Sequence, residues 1–277
     1  MEVMIRLFGS WQDFAALLVF LFCWLGYEPV LKRLSRKSGV IFKDLTIVRR
    51  AWMKEMVIRS FKLYDSNLIG HGVNSMSFFA SANLILIAAV AGAIFTGDLS
   101  YKSVHALGID TSSSSLLLIK LAVVIICLAR GLLNFIWALR QTNYAVAAMG
   151  AIPENIDSKT AQAFTEAVSD IFEPAMSNFS QGVRGYYFSL AAGAWLFGAL
   201  PLAIASLGAI VLLAWRQSQS QASHGLRRMR ELLEEHPYPT RTRPIYDGKT
   251  GEDDAGEDDA AQQDDENNET IGRASVS

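Results

Sequence analysis

Apolar residues in this chain fall into long blocks separated by short polar segments, and do not recur at every third or fourth position as in a soluble helical protein. Because a bilayer core about 30 Å thick requires roughly 20 helical residues, these blocks predict membrane-spanning helices. Three blocks reach that length, and the block at 14–31 is marginal. We therefore expect an all-α, polytopic helical membrane protein with about four transmembrane helices, near 14–31, 75–96, 116–139 and 186–215.

The last block is longer than one crossing requires, and Pro201 lies at its centre. As one tilted and kinked helix, it would place the C-terminus outside. As two half-helices folded back at 198–201, it would return the C-terminus to the inside. The pattern leaves both alternatives open.

Charge predicts which side each loop faces. The segment 32–62 carries ten lysines and arginines but two acidic residues, so the positive-inside rule places it in the cytoplasm. The N-terminus and the loop 97–115 then face outside, and the segment 141–184 faces inside. The expected location is the cell membrane, as a multi-pass protein, or the inner membrane in a Gram-negative bacterium.

Two amphipathic helices are predicted outside the spans. One begins near Asp44, in the basic segment 32–62, and either contacts anionic lipid or docks on the bundle; both alternatives stay open. The other, at 158–174, carries acidic residues and is expected to dock on protein. Residues 231–277 are polar and acidic, so we expect a disordered tail after a membrane domain of residues 1–230.

Polar residues in the third span form one stripe, because Arg130, Asn134, Trp137 and Gln141 recur at helical spacing. An arginine at the centre of a lone span costs about 2.5–3.5 kcal/mol on insertion scales, so it requires an acceptor or a wet cavity. The candidate acceptors include Asn83, Glu28 and Asp13. A cationic stripe suits an anionic ligand or a lipid head group. Alternatively, Arg130 holds the bundle in register.

No enzyme signature is present in the sequence. It has no phosphate-binding loop, no HExxH and no nucleophile elbow, and its four histidines and two cysteines lack ligand spacing. We therefore expect no enzyme activity, no cofactor and no metal, and the net charge of −2 predicts no nucleic-acid partner. Small residues in the second span favour close helix packing in a bundle or a homo-oligomer.

Three segments carry a resemblance to a known family: SNLIGHGVNSMSFFAS at 66–81, FIWALRQTNYAVAAMGAIPE at 135–154 and NFSQGVRGYYFSLAAGAWLF at 178–197. They resemble the DUF599 family of uncharacterised multipass membrane proteins. The resemblance implies an α-helical membrane protein, and it brings no catalytic residue, ligand or cofactor.

The matching segments suggest a polar site at the inner boundary of the membrane, built from Arg140, Gln141, Asn143, Arg184 and Tyr187. Such a site would take an anionic head group or a small anion; alternatively, these residues cap helices. Two function classes follow. The first is a non-catalytic membrane module that assembles with itself or a partner. The second is a transporter or channel-like protein for a small polar or anionic solute, acting as an oligomer.

Overall fold

Helix accounts for nearly all of the residues that the structure, a computed structural model, describes. These residues are 11–35, 41–95 and 114–235, and they belong to one unit, Met1–Tyr238. The helices are α1 (Trp11–Ser35), α2 (Ile41–Ile58), α3 (Leu63–Phe95), α4 (Ser114–Gly150), α5 (Ser158–Gly193), a 3₁₀ turn (Ala194–Phe197), α6 (Ala199–Ser218) and α7 (Gln221–Glu235). The described residues contain no strand, which confirms the predicted all-α class.

Three helical stretches are long and apolar enough to cross a membrane: Leu63–Phe95, Ser115–Gly150 and Ala199–Glu235. The last stretch contains the break between α6 and α7, and its apolar part is α6. The apolar part of α1, Trp11–Tyr27, is shorter. The predicted count of four spans is therefore not confirmed. The loop 97–113 and the predicted disordered tail lie outside the described residues, except that 231–235 continue α7.

The apolar block at 186–215 is divided at Gly198. This residue has φ 122° and ψ 174°, a conformation that glycine adopts without the steric strain a Cβ atom would cause. Pro201 lies in the first turn of α6, where a missing N–H group costs no intrahelical hydrogen bond. The end of α6 returns beside α5, since Arg216 Nη1 donates to the Tyr187 hydroxyl at 2.7 Å. Of the two alternatives left open by the sequence, the structure has the fold-back.

The first hydrophobic core, which we call the apolar layer, joins α1, α4, α5 and α6. Its largest buried side chains include Phe20, Trp195, Leu202 and Phe188. Trp195 has no exposed surface, and its indole Nε1 donates to Asp13 Oδ1 at 2.7 Å. This bond satisfies a donor that would otherwise be buried without a partner, and it fixes the start of α1 beside the turn that precedes α6.

Glycines bring α4 and α5 together at their crossing. A Cβ atom placed on Gly185 would lie 3.4 Å from the Gly131 Cα atom, so the two backbones nearly touch. A Cβ atom on Gly182 would lie 2.5 Å from the Phe135 ring, which is closer than carbon atoms pack. Gly182 therefore tolerates no side chain unless the Phe135 ring moves, whereas a Cβ atom on Gly185 would just reach van der Waals contact with Gly131.

The surface around the apolar layer is itself apolar. Large exposed side chains lie along α1, α3, α4 and α6, among them Phe22, Ile85, Leu133, Leu200 and Val211. Within the described part of the chain, α3 packs mainly on α4 and leaves most of its circumference uncovered. Contiguous apolar surface of this extent is unusual on a soluble monomer and indicates contact with lipid or protein.

A second core joins α2 to the start of α3, the end of α4 and the first half of α5. Met53 and Met56 of α2 pack with Val168 and Phe172 of α5. The predicted docking of the 158–174 helix on protein is thereby confirmed. The apolar side of α2 is covered in the same contact, so of its two open alternatives the structure shows docking on the bundle.

Ion pairs hold this second core together. Glu173 accepts two hydrogen bonds from Arg49 at 2.8 Å and one from Thr46 at 3.0 Å. Asp65 accepts two bonds from Arg59 at 2.8 Å and one from the Trp52 indole at 2.7 Å. Arginines of the basic segment 32–62 thus serve in part to bind acidic side chains of the same chain.

The last described helix, α7, docks on α2. Arg230 Nη1 donates to Asp44 Oδ1 at 2.9 Å, and the Asp44 side chain is only 1% exposed. Two helices far apart in the chain are therefore neighbours, and α7 lies on the same side of the bundle as α2.

Asp157 begins α5 as its N-cap residue. Its carboxylate accepts hydrogen bonds from the backbone N–H groups of Lys159 and Thr160, and from the Thr160 hydroxyl. Because these donors favour the charged carboxylate, with the Thr160 hydroxyl contributing most, the pKa of Asp157 is lowered.

Candidate functional site

Two members of the polar stripe predicted on α4, Arg130 and Asn134, line a pocket in the apolar layer, whereas Trp137 and Gln141 do not. Arg130 and Asn134 are four residues apart, so their side chains lie one above the other on the same side of the helix. Both line the pocket, together with Cys127 and Gly131 of the same helix. The sequence prediction that these two residues share one face is confirmed.

Helix α5 forms the back of the pocket. Gln181, Arg184, Gly185 and Phe188 line it, at the three- and four-residue spacing of one helix face. The close contact of Gly185 with Gly131 leaves no side chain between the two backbones. The arginines of α4 and α5 therefore line the same space.

Helix α1 supplies an aromatic wall. Trp24 and Tyr27 line the pocket. The guanidinium carbon of Arg130 lies 5.4 Å from the centroid of the Trp24 ring, and that of Arg184 lies 6.0 Å from the centroid of the Tyr27 ring. A cation over an aromatic face gains about 0.5–2 kcal/mol, with the larger values at desolvated sites. Each arginine is thus held against a different ring of α1.

Hydrogen bonds to α6 fix the Tyr27 end of the pocket. Gln217 Nε2 donates to the Tyr27 hydroxyl at 2.9 Å. One residue earlier, Arg216 donates to Tyr187. These bonds tie the end of α6 to α1 and α5 beside the pocket.

The pocket is small. Its cavity volume is about 20 Å³, counted as the space that the centre of a water molecule can occupy. Since about 10–15 Å³ by this measure holds one water, the cavity admits one or two waters or one compact polar group. The described lining residues include two guanidinium groups, the amides of Asn134 and Gln181, and no acidic residue.

The structure brings together only part of the site predicted at the inner boundary. Arg184 lies in the pocket with Arg130 and Asn134. Gln141 lies farther along α4, and its Oε1 atom accepts from Asn178 Nδ2 at 2.7 Å. The Tyr187 hydroxyl accepts from Arg216 instead of facing the pocket.

Arg140 and Asn143 do not line the pocket, which corrects the predicted grouping with Arg184. Ten residues of an α-helix turn through about 1,000°, so Arg140 is rotated by about 80° from Arg130 and lies about 15 Å farther along the axis. The Arg140 Nε atom donates to the Tyr144 hydroxyl at 2.6 Å, and its guanidinium lies 5.7 Å from the Trp137 ring centroid. Arg140 and Asn143 are both exposed.

Two of the predicted acceptors for Arg130 have other partners. Asn83 donates from Nδ2 to the Leu128 carbonyl at 2.8 Å, and its buried Oδ1 atom accepts no bond. Asp13 accepts from Trp195, about 16 Å along α1 from Trp24. The side chain of Glu28 lies outside the described part of the structure.

Sequence reasoning missed Trp24, Tyr27 and Gln181 as pocket residues, and it missed the buried Lys120. Gln181 had a usable signal, since it precedes Arg184 by three residues and so shares its face. Tyr27 is buried, with 6% of its surface exposed. Lys120 has no exposed surface, and its Nζ atom lies 5.9 Å from the Trp195 ring centroid.

Among the described residues, no group of three or more histidine, cysteine, aspartate or glutamate side chains is placed to hold a metal ion. A model of one protein family matches residues 15–222, and its description is "Protein of unknown function, DUF599". Comparison with the curated proteins and with the solved structures gives no significant match.

Proposed function

The chain belongs to the DUF599 family of proteins of unknown function, and from that premise we propose that it is a non-catalytic integral membrane protein that binds an anionic group at Arg130 and Arg184. The observation that carries the proposal is the convergence of these two guanidinium groups, from different helices, on one small pocket. Membrane location and anion binding are supported by separate features.

The membrane location is supported by the long apolar helices and by the apolar surface around the apolar layer. In this arrangement α1, α3, α4, the second half of α5 and α6 each cross the bilayer. Five crossings put α7 on the same side as the basic segment 32–62, and the Arg230–Asp44 ion pair between α7 and α2 requires that. By the positive-inside rule this side is the cytoplasm.

Anion binding is supported by the chemistry of the pocket. Arginine presents planar, fixed donors that match the oxygens of a carboxylate or phosphate. The amides of Asn134 and Gln181 add donors that can turn towards the same oxygens.

Thermal stabilisation of the purified protein by added anions tests this proposal, because a ligand that binds only the folded state raises the unfolding temperature. The probes are acetate, nitrate and phosphate as sodium salts, at constant ionic strength. We expect at least one of them to stabilise the wild-type protein in a saturable manner. Arg130→Gln or Arg184→Gln removes a charge-assisted bond worth about 1.5–3 kcal/mol, so the half-maximal concentration should rise about 10- to 150-fold.

Arg140→Gln is the matched control. It removes the same kind of side chain from α4, yet Arg140 is exposed and does not line the pocket. Its response to the anions should equal that of the wild type. The proposal is wrong if no anion stabilises the wild-type protein, or if the Arg130 and Arg184 variants respond as the control does.

Transport of a small anionic solute is the second candidate, and the bonds beside Tyr27 favour it. The Gln217–Tyr27 and Arg216–Tyr187 hydrogen bonds lie at the Tyr27 end of the pocket, so in this proposal they are the contacts that open to admit the solute. Uptake of radiolabelled acetate or phosphate into proteoliposomes, with Arg130→Gln as the negative control and crosslinking to follow oligomer state, tests this. Absence of protein-dependent uptake would leave binding without transport.

A further inference from the structure

The open side of the pocket lies between α1 and α4. Within the described residues the backbones of these two helices lie apart and meet through side chains, whereas the backbone of α5 packs along α4 and closes the back. The Arg130 side chain is exposed although it lines the pocket, and its contact with the Trp24 ring bridges the gap. The pocket is thus a cleft in the side of the bundle.

Apolar residues border this cleft on both helices. On α4, Ile126 and Leu133 lie one turn before and after Arg130, and both are more than half exposed. On α1, the exposed Leu25 follows Trp24 directly. A molecule that extends out of the cleft would therefore meet apolar side chains.

The position of the cleft across the bilayer agrees with its apolar border. Arg130 lies 14 residues after Leu116, the first buried apolar residue of α4, which is about 21 Å along the helix. With Leu116 at the outer edge of a hydrocarbon core about 30 Å thick, Arg130 lies about 9 Å inside the inner edge. The mouth of the cleft then opens to acyl chains of the inner leaflet.

We infer that the ligand is an amphipathic anion, whose carboxylate or phosphate binds between Arg130 and Arg184 while its acyl chain leaves between α1 and α4. This inference rests on the proposed function and adds the substrate class. The small cavity admits only the polar group, so the rest of a larger ligand must lie outside, along Ile126 and Leu133.

The test compares two carboxylates that differ in the chain alone, dodecanoate and acetate, in thermal unfolding of the protein in nanodiscs of zwitterionic lipid. We expect dodecanoate to reach half-maximal stabilisation of the wild type at a concentration at least 10-fold below that of acetate. Both responses should weaken at least 10-fold in Arg130→Gln. An equal response to the two carboxylates would overturn the amphipathic ligand and leave anion binding intact.

A response to neither carboxylate, together with none to phosphate or dodecyl phosphate, would overturn both proposals. A dodecanoate response that is unchanged in Arg130→Gln would reflect partitioning of the chain alone, and it would overturn the inference even if acetate binds.

Leu133→Trp tests the path of the acyl chain. A larger ring at the border of the cleft should weaken dodecanoate binding several-fold and leave acetate binding unchanged. Leu118→Trp is the matched control, since Leu118 is an exposed leucine of the same helix about 22 Å away. The proposed path would be overturned if Leu133→Trp weakened dodecanoate and acetate binding equally, or if the two tryptophan variants weakened dodecanoate binding equally.

Discussion

Substitution of Gly182 by alanine should destabilise the protein through one defined contact. An added Cβ atom would lie 2.5, 2.7 and 2.8 Å from three carbons of the Phe135 ring, whereas carbon atoms pack at about 3.5–4.0 Å. The ring would have to move by about 1 Å. It has little room, because Phe135 has no exposed surface and stacks on Phe79 with ring centroids 5.8 Å apart.

The expected magnitude follows from two opposing effects. Overpacking of this kind costs about 1–3 kcal/mol, and the replacement of a helical glycine by alanine returns about 1 kcal/mol. Gly208→Ala is the control, because its Cβ atom would meet nothing within 4 Å, so it should show only the gain. The Gly182 variant should therefore be less stable than the Gly208 variant by about 1–3 kcal/mol, or roughly 2–12 °C in unfolding temperature.

Thiol exposure on heating measures this difference. The chain has two cysteines, Cys23 and Cys127, and both are buried in the folded protein. A maleimide dye that fluoresces on reaction therefore reports unfolding. Adding Phe135→Leu to Gly182→Ala should restore part of the stability, with a coupling energy of about 0.5–3 kcal/mol in a double-mutant cycle.

Equal unfolding temperatures for the two glycine variants would refute this reasoning, and so would strict additivity of the Gly182 and Phe135 substitutions. Either result would mean that the α4–α5 crossing is looser than the structure has it. The register that brings Arg130 and Arg184 together would then require another explanation.

Three further predictions concern residues outside the pocket. Glu173→Gln breaks a largely buried ion pair with Arg49 and should lower stability by about 1–3 kcal/mol in thermal unfolding. Asp170→Asn breaks an exposed ion pair with Arg50 at 3.9 Å and should change stability by less than about 1 kcal/mol. Equal effects of the two substitutions would contradict the burial argument. Gly198→Ala should cost about 1–3 kcal/mol by the same measurement, because φ 122° strains a residue with a Cβ atom, and an unchanged stability would mean that the turn relaxes. Asp157→Ala should destabilise the start of α5 in a pH-dependent manner: since the pKa of Asp157 is lowered in the folded state, its contribution is present above the ordinary value of 3.8 and is lost as the pH falls below it. Hydrogen exchange at 158–162 measures this, and a difference between wild type and variant that persists at the acidic end would count against the cap.

The sequence was sufficient for features that depend on one helix. The pairing of Arg130 with Asn134 follows from helical spacing alone, and so does the docking face of the 158–174 helix. The sequence did not predict which residues of different helices meet. Spacing within one helix carries no information about how far that helix is shifted along its neighbour. Arg184 was grouped with Arg140 for that reason, whereas the Gly131–Gly185 contact sets it level with Arg130.

Two other features required the folded structure for different reasons. The block at 186–215 suited either one crossing or two, because a proline is compatible with a kink and with the first turn of a new helix. The difference lies in the backbone of Gly198, whose N–H donates to the Trp195 carbonyl at 3.0 Å where the chain turns into α6. Lys120 was overlooked because a lysine near the end of an apolar block normally extends to water, whereas here it is buried over Trp195.

The ion pair between Asp44 and Arg230 links residues 186 positions apart in the chain. A ribosome that adds about 5–20 residues per second needs roughly 10–40 s to reach Arg230 after Asp44. Throughout that interval the Asp44 carboxylate has no Arg230 to bind, so the contact between α2 and α7 can form only after the rest of the described chain has been made. Chains that stop before residue 221 would consequently leave the Asp44 carboxylate, which is 1% exposed in the full chain, without its Arg230 partner even with every apolar helix already made.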